Sequence, residues 1–201
     1  MNPINVINGP AAPLPLANVD TDQIMPKNFL KRVERSGYGK YVFWDWARDA
    51  EGNPEPDFVL NKPEYQNATI LLTGENFGSG SSREHAPWGI EDWGFKAIIA
   101  PSFADIFYSN CCNIGLLPVV LKPKEVQYLM ELAEAEPEAI ISIDLLKQTV
   151  TTDGFEAVFE IEVARKFRLV KGLDLIGTTL LHEDLIDAFE ASRPIHLPSL
   201  S

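Results

Sequence analysis

The stretch Ala68-Thr69-Ile70-Leu71-Leu72-Thr73-Gly74-Glu75-Asn76-Phe77-Gly78-Ser79-Gly80-Ser81-Ser82-Arg83-Glu84-His85 carries the reading of this chain. It opens on an apolar run bounded by Gly74, which predicts a buried strand. It passes through a Gly/Ser loop into a predicted helix from about Ser82 to Trp93, stopping before Gly94. A strand, a glycine-rich loop and a helix start together form an anion site, because unpartnered backbone N–H groups converge there. Gly78 and Gly80 let backbone approach a ligand closely. Ser81-x-x-Glu84 fits a capping box, with Ser81 as N-cap and Glu84 reaching back. Arg83 sits where a cation opposes the helix dipole, so an anion that it grips explains it better, a carboxylate held bidentately above all.

Outward from this stretch, Ala97–Ala100 and Leu116–Leu121 predict two further buried strands. Between them Phe103–Cys112 predicts a helix closed by Gly115 at C′. Lys124–Ala135 reads as an amphipathic helix with Val126, Leu129, Met130 and Leu132 on one side. Successive strand–helix–strand units imply a parallel α/β portion. Ile140–Ile143 and Thr149–Thr152 alternate, and Asp153-Gly154 predicts a hairpin to a partner strand over Phe155–Val163. Ile4–Leu16 reads as one short strand and a loop, and Phe58–Leu60 as an extended piece. A helical run Lys27–Arg35 opens after Pro26, and Leu180–Ala191 forms a closing helix.

The 201 residues suffice for one domain with a proper core, and 45% hydrophobic and 23% charged residues are ordinary for a globular chain. No run of 18 apolar residues and no secretory leader is visible, and the two cysteines, Cys111 and Cys112, are adjacent, which suits a reducing cytoplasm. The net charge of −12 argues against a nucleic-acid partner. The loop is not a Walker motif, because G-x-x-x-x-G-K-[ST] is missing. Its glycines lack the dinucleotide-binding spacing, and no G-x-S-x-G elbow occurs.

Gly80-Ser81-Ser82-Arg83-Glu84-His85-Ala86 resembles the signature of the swivelling domain of the aconitase superfamily. Asp20–Pro26, Ala97–Ala104 and Asn110–Pro118 resemble its other blocks, in order and spacing. The likeness spans roughly residues 5–190 and is closest to small subunits of heteromeric alkyl-malate hydro-lyases, through Asn28–Arg32, Pro56–Asn61, Glu84–Trp88 and Ala104–Tyr108. Ser79 stands where many relatives carry Cys. The resemblance implies a single swivelling β/β/α domain over residues 1–201: a mixed sheet with a parallel α/β portion flanked by helices, and a flexible tail at 192–201.

It also implies a hydro-lyase that moves a hydroxyl by one carbon on a hydroxy-dicarboxylate, with Ser81 as alkoxide base and Ser82 and Arg83 holding substrate carboxylates. Thr21 and Asp22 would support the Arg83 side, and Gly78, Gly80, Glu84 and His85 the loop. Leu30, Lys31 and Arg32 would belong to a substrate-specificity loop, with Leu30 against an isopropyl group. Lys27, Lys31 and Arg35 share one helical face that would steer a dianion. His85 reads as a structural donor rather than a base, His182 and His196 join no constellation, and the four tryptophans read as core or interface.

The leaving hydroxide needs a Lewis acid, in the superfamily a [4Fe-4S] cluster held by three or four thiolates. Two adjacent cysteines cannot hold one, so a cluster-bearing large subunit is the expected partner and no metal is expected on this chain. 2-Isopropylmalate, in leucine biosynthesis, is the expected substrate. Homoaconitate, citraconate or a methyl-malate are alternatives within the class, and a non-catalytic dicarboxylate-binding module is the alternative outside it.

Overall fold

The computed structural model describes residues 1–31 and 35–193. Eight strands form two four-stranded sheets. The first strand, β1 (Val6–Gly9), ends at Pro10, and β2 (Ala11–Leu14) follows in the other sheet. Sequence predicted one strand here. Pro10 removes a donor and bends the chain, so one extended run serves two layers.

β3 (Ile70–Thr73), β4 (Ala97–Ala100) and β5 (Leu117–Val120) line up after β2 in the order β2-β3-β4-β5, all parallel, with Ile70 opposite Ala11 and Ala97. Pro13 is tolerated in β2 because β2 is an edge strand. The other sheet is antiparallel, β1-β6-β7-β8, with β6 (Ile141–Asp144), β7 (Thr149–Thr152) and β8 (Phe155–Val158), and the Asp153-Gly154 turn joins the last two as predicted. The α/β class and the parallel portion are as expected, but the one mixed sheet expected is instead two sheets, one wholly parallel and one wholly antiparallel.

The parallel strands are buried on both faces, and their side chains alternate between two cores. Ile70, Leu72, Ile99 and Val119 pack toward the antiparallel sheet and α5, the helix Pro123–Ala135, which contributes Val126, Leu129 and Met130. Leu14, Leu71 and Ile98 pack the opposite way, against α3 (His85–Trp93), α4 (Asp105–Ile114) and the long excursion between β2 and β3. Gly115 closes α4 in the left-handed conformation, as predicted. Among its described residues the excursion holds two short helices, α1 (Thr21–Ile24) and α2 (Trp44–Ala47), and four 3₁₀ turns.

Several boundaries differ from the sequence reading. Lys27–Phe29 is a 3₁₀ turn, Leu30 ends it, and 32–34 lie outside the described residues, so the expected helix to Arg35 is not formed over its described start. Val59–Asn61 is also 3₁₀ rather than extended. β8 stops at Val158, and α6 (Val163–Lys171) takes over, a helix the alternating pattern before it concealed. The predicted closing helix is found as α8 (Glu183–Ala191), and a further short helix, α7 (Leu175–Leu180), which the sequence reading did not mark, precedes it. Thr178 and Thr179 donate their hydroxyls to the carbonyls four residues back, which weakens helix propagation. The expected tail from 192 falls, from 194 on, outside the described residues. No helix among the described residues is long and apolar enough to cross a membrane.

Candidate active site

The Gly/Ser loop leaves the carboxyl end of β3, the edge where open parallel sheets place ligands. It is pinned from two sides. Gly78 and Ser79 donate their amides to Val19 O at 2.8 and 3.2 Å, and Thr21 N donates to Ser79 O at 2.8 Å. On the other side Phe77 N donates to Ser102 O at 3.2 Å and Ala104 N to Phe77 O at 3.0 Å. Asn76 takes a left-handed φ of 55°, with its amide on Ser102 Oγ and its side chain on Asn18. The loop thus bridges the 18–21 and 102–104 segments, Ser79 pairing in parallel with Asp20 and Phe77 with Phe103.

Gly78 has φ +77°, and a Cβ there would lie 2.1 Å from Cγ of Phe107, so only glycine lets the loop reach α4. Gly80 has φ +88° but ordinary space, 3.4 Å from Asp20 Cβ.

A cavity of about 260 Å³ opens beside this loop, lined by Thr21, Gly78, Gly80, Ser81, Ser82 and Arg83 together with the start of α4, Ala104 to Phe107. Ser81 and Ser82 are exposed, and neither hydroxyl bonds to another described residue. Thr21 donates its hydroxyl to Ser81 O at 2.8 Å and so orients the backbone that carries the serine. The Arg83 side chain is 10% exposed. Its Nη1 donates to the Asp22 carboxylate and, at 3.3 Å, to Met25 O. Nη2 and Nε make no hydrogen bond to another described residue, which leaves them able to donate to a ligand. Asp22 also faces Lys27 at 3.8 Å. The Arg83 hydrogen bond is the main cause that holds the Asp22 carboxyl below its ordinary value, so Asp22 is an anion at neutral pH.

The helix start beside Ser81 is not the one the sequence pointed to. α3 begins at His85, with Glu84 as its N-cap making no side-chain bond, so the Ser81/Glu84 capping box does not form. Pro87 explains the late start: lacking an N–H, it is at home only in a first turn, and here it is the third helical residue. The capping box that does form is Asp20 with Gln23, both bonds 2.8 Å, on α1. The free amides at the cavity belong to α4. Its N-cap, Ala104, has no capping oxygen, and the amides of Asp105, Ile106 and Phe107 have no acceptor among the described residues. Sequence reasoning missed this end of the site; the uncapped Ala104-Asp105 start was its signal.

Other predicted residues stand apart from the cavity. Leu30 is half-buried against the α3-side core, Lys31 is exposed, Arg32 lies outside the described residues, and neither Glu84 nor His85 lines the cavity. His85 packs edge-on against Tyr38 at 5.2 Å and beside Trp88 at 4.9 Å. Trp46, Trp88 and Trp93 pack on the same core, and Trp44 lies against Phe29. Cys111 and Cys112 are buried in α4, and burial pushes both thiols up, the reverse of what a thiolate ligand needs. These residues do not fit an iron–sulfur cluster.

Comparison with known proteins agrees with this architecture. Residues 1–124 match the family model described as the aconitase C-terminal domain, and residues 127–162 match a second, LeuD_N. Fold and loop together therefore define a swivelling domain of the aconitase type. The 3-isopropylmalate dehydratase small subunit of Rubrobacter xylanophilus is 50% identical over 198 residues, 98% of each chain. That of Halalkalibacterium halodurans is 54% identical over 194 residues, 96% of this chain and all of the relative. The crystal structure of 3-isopropylmalate dehydratase (leuD) from Methanocaldococcus jannaschii superposes with a TM-score of 0.63 at 28% identity, covering 92% of this chain and 99% of the other. The chain belongs to the family of 3-isopropylmalate dehydratase small subunits.

Proposed function

We propose that this chain is the cytoplasmic small subunit of a hydro-lyase that isomerises 2-isopropylmalate to 3-isopropylmalate by dehydration and rehydration, a step toward leucine. The observation that carries the reading is the cavity that joins two free serine hydroxyls, an almost buried guanidinium and the uncapped start of α4. Ser81 takes the proton alpha to a carboxylate. Its hydroxyl is a weak acid, and the oriented amides of Asp105 to Phe107 lower the cost of the alkoxide. Because the helix it was expected to cap starts later, no cap competes for its oxygen.

Ser82 and the free edge of Arg83 hold a substrate carboxylate, with the guanidinium fixed by Asp22 and Met25 O. Thr21 positions the Ser81 backbone. Leu30 and Lys31 contribute to specificity from the segment that Lys27 ties to Asp22, and Arg32, outside the described residues, is assigned the same role. The departing hydroxide requires a Lewis acid, and a [4Fe-4S] cluster on the large subunit supplies it; no residue of this chain is assigned to it.

The test is Ser81→Ala, assayed anaerobically on 2-isopropylmalate after reconstitution with the large subunit. Turnover is expected to vanish with melting temperature and complex formation unchanged. Near-normal turnover would refute the base assignment, and activity confined to another alkyl-malate would move the substrate within the class.

A further inference from the structure

Among the described residues, the last two helices, α7 and α8, are turned inside out. Leu175, Ile176, Leu180, Leu181, Leu185 and Phe189 are each more than half exposed. The positions these helices turn inward are instead Gly177 and Thr178 on α7 and Ile186 on α8, all half-buried. No described hydrophobic residue after Val170 packs on either core. The apolar side chains are ordered all the same: Ile176 and Leu180 stand four apart on α7, and Leu185 and Phe189 four apart on α8, so each pair forms one face. Summed over the two helices the six expose on the order of 600 Å², comparable with one side of a standard interface.

The charge around the patch selects the occupant. Residues 173–193 carry five carboxylates, Asp174, Glu183, Asp184, Asp187 and Glu190, against one guanidinium, Arg193. Two copies meeting on this face would set carboxylates against carboxylates. A face with an apolar centre and a Lys/Arg rim is complementary.

We propose that α7 and α8 are a docking surface for the large subunit, which receives the six apolar side chains in a groove rimmed by basic residues. This rests on the small-subunit reading above. It also gives the exposed segment a reason: burial on a partner returns the free energy that burial in this chain does not.

The experiment compares the wild-type chain with the triple variant Leu181→Ser/Leu185→Ser/Phe189→Ser and the charge variant Glu183→Lys/Asp187→Lys. Each is titrated with the purified large subunit of the same organism's 3-isopropylmalate dehydratase, and each is sedimented alone. The triple variant is expected to stay monomeric with an unchanged melting temperature and to bind the large subunit about a hundredfold more weakly or worse. The charge variant is expected to associate more slowly and to lose most of the salt dependence of binding.

Triple-variant binding within threefold of wild type would overturn the docking surface and leave the functional reading intact. A wild-type dimer that the triple variant dissolves would assign the face to a second copy. A triple variant that melts several degrees lower would assign it to this chain's own end. Failure of the wild-type chain to bind the large subunit would overturn both readings.

Discussion

Gly78→Ala tests whether the loop and α4 are as close as the structure places them. Two costs add. A left-handed residue with a side chain costs about 1–2 kcal/mol, and Gly78 has φ +77°. The new methyl would also fall 2.1 Å from Cγ and 2.6 Å from Cβ of Phe107. These atoms are the root of a buried ring, so the ring cannot swing aside and either α4 or the loop must move. Overpacking of this kind costs a further ~1–3 kcal/mol.

Gly80→Ala is the control, because φ is +88° there but the nearest atom lies at 3.4 Å. The backbone cost and the loss of unfolded-state entropy are common to both variants, so their difference isolates the clash. Urea unfolding of the two variants should therefore place Gly78→Ala below Gly80→Ala by ~1–3 kcal/mol, with equal m-values. Equal stabilities would refute the close approach of loop and helix, and with it the placing of the α4 amides beside Ser81.

Three other outcomes follow from the same geometry. Arg83→Lys should raise KM for 2-isopropylmalate more than it lowers kcat, since an ammonium cannot hold Asp22 and a carboxylate with two separate edges; steady-state kinetics of the reconstituted enzyme decides, and an unchanged KM would count against carboxylate binding. Asp22→Asn should raise KM severalfold and lower stability at neutral pH. The Asp22 pKa is held below its ordinary 3.8, so the stabilisation is complete above that value and fades as pH falls through the depressed one. The stability gap between variant and wild type, followed by denaturant titration, should accordingly close in acid. Cys111 and Cys112, raised above the ordinary 9.0 by burial, should stay neutral and unlabelled by Ellman's reagent at pH 8 until the chain unfolds; rapid native labelling would show that α4 opens.

Three of the four parallel strands, β3 to β5, were legible because each is a short apolar block between polar or turn residues, whereas β2 was hidden in the run shared with β1. Ala97–Ala100, between Lys96 and Pro101, is found at the predicted residues. The cavity-lining Ser81, Ser82 and Arg83 were legible because so many small and anion-directed residues rarely sit together. What local pattern could not show was long-range pairing. Arg83 and Asp22 are 61 residues apart, and the Ser81 carbonyl meets a hydroxyl 60 residues away. Pro87 was in plain view, yet the Ser-x-x-Glu spacing outweighed it in the reading, and the anion-facing amides were placed on the wrong helix. α6 was hidden because the alternation of β8 runs into it with no cap: Glu162 makes no side-chain cap bond.

The bend at Pro10 has a consequence for the order in which the molecule can be made. β1 and β2 leave the ribosome adjacent and before the strands they pair with, yet β1 must wait for β6, with Val6 opposite Asp144, while β2 closes on β3 at Ile70. At a synthesis rate of ~5–20 residues per second, the first strand stays without its partner for on the order of ten seconds. During that time the parallel layer can assemble around β2 and hold the entry to β1 in place, so the antiparallel layer is added last, onto a strand already anchored at one end.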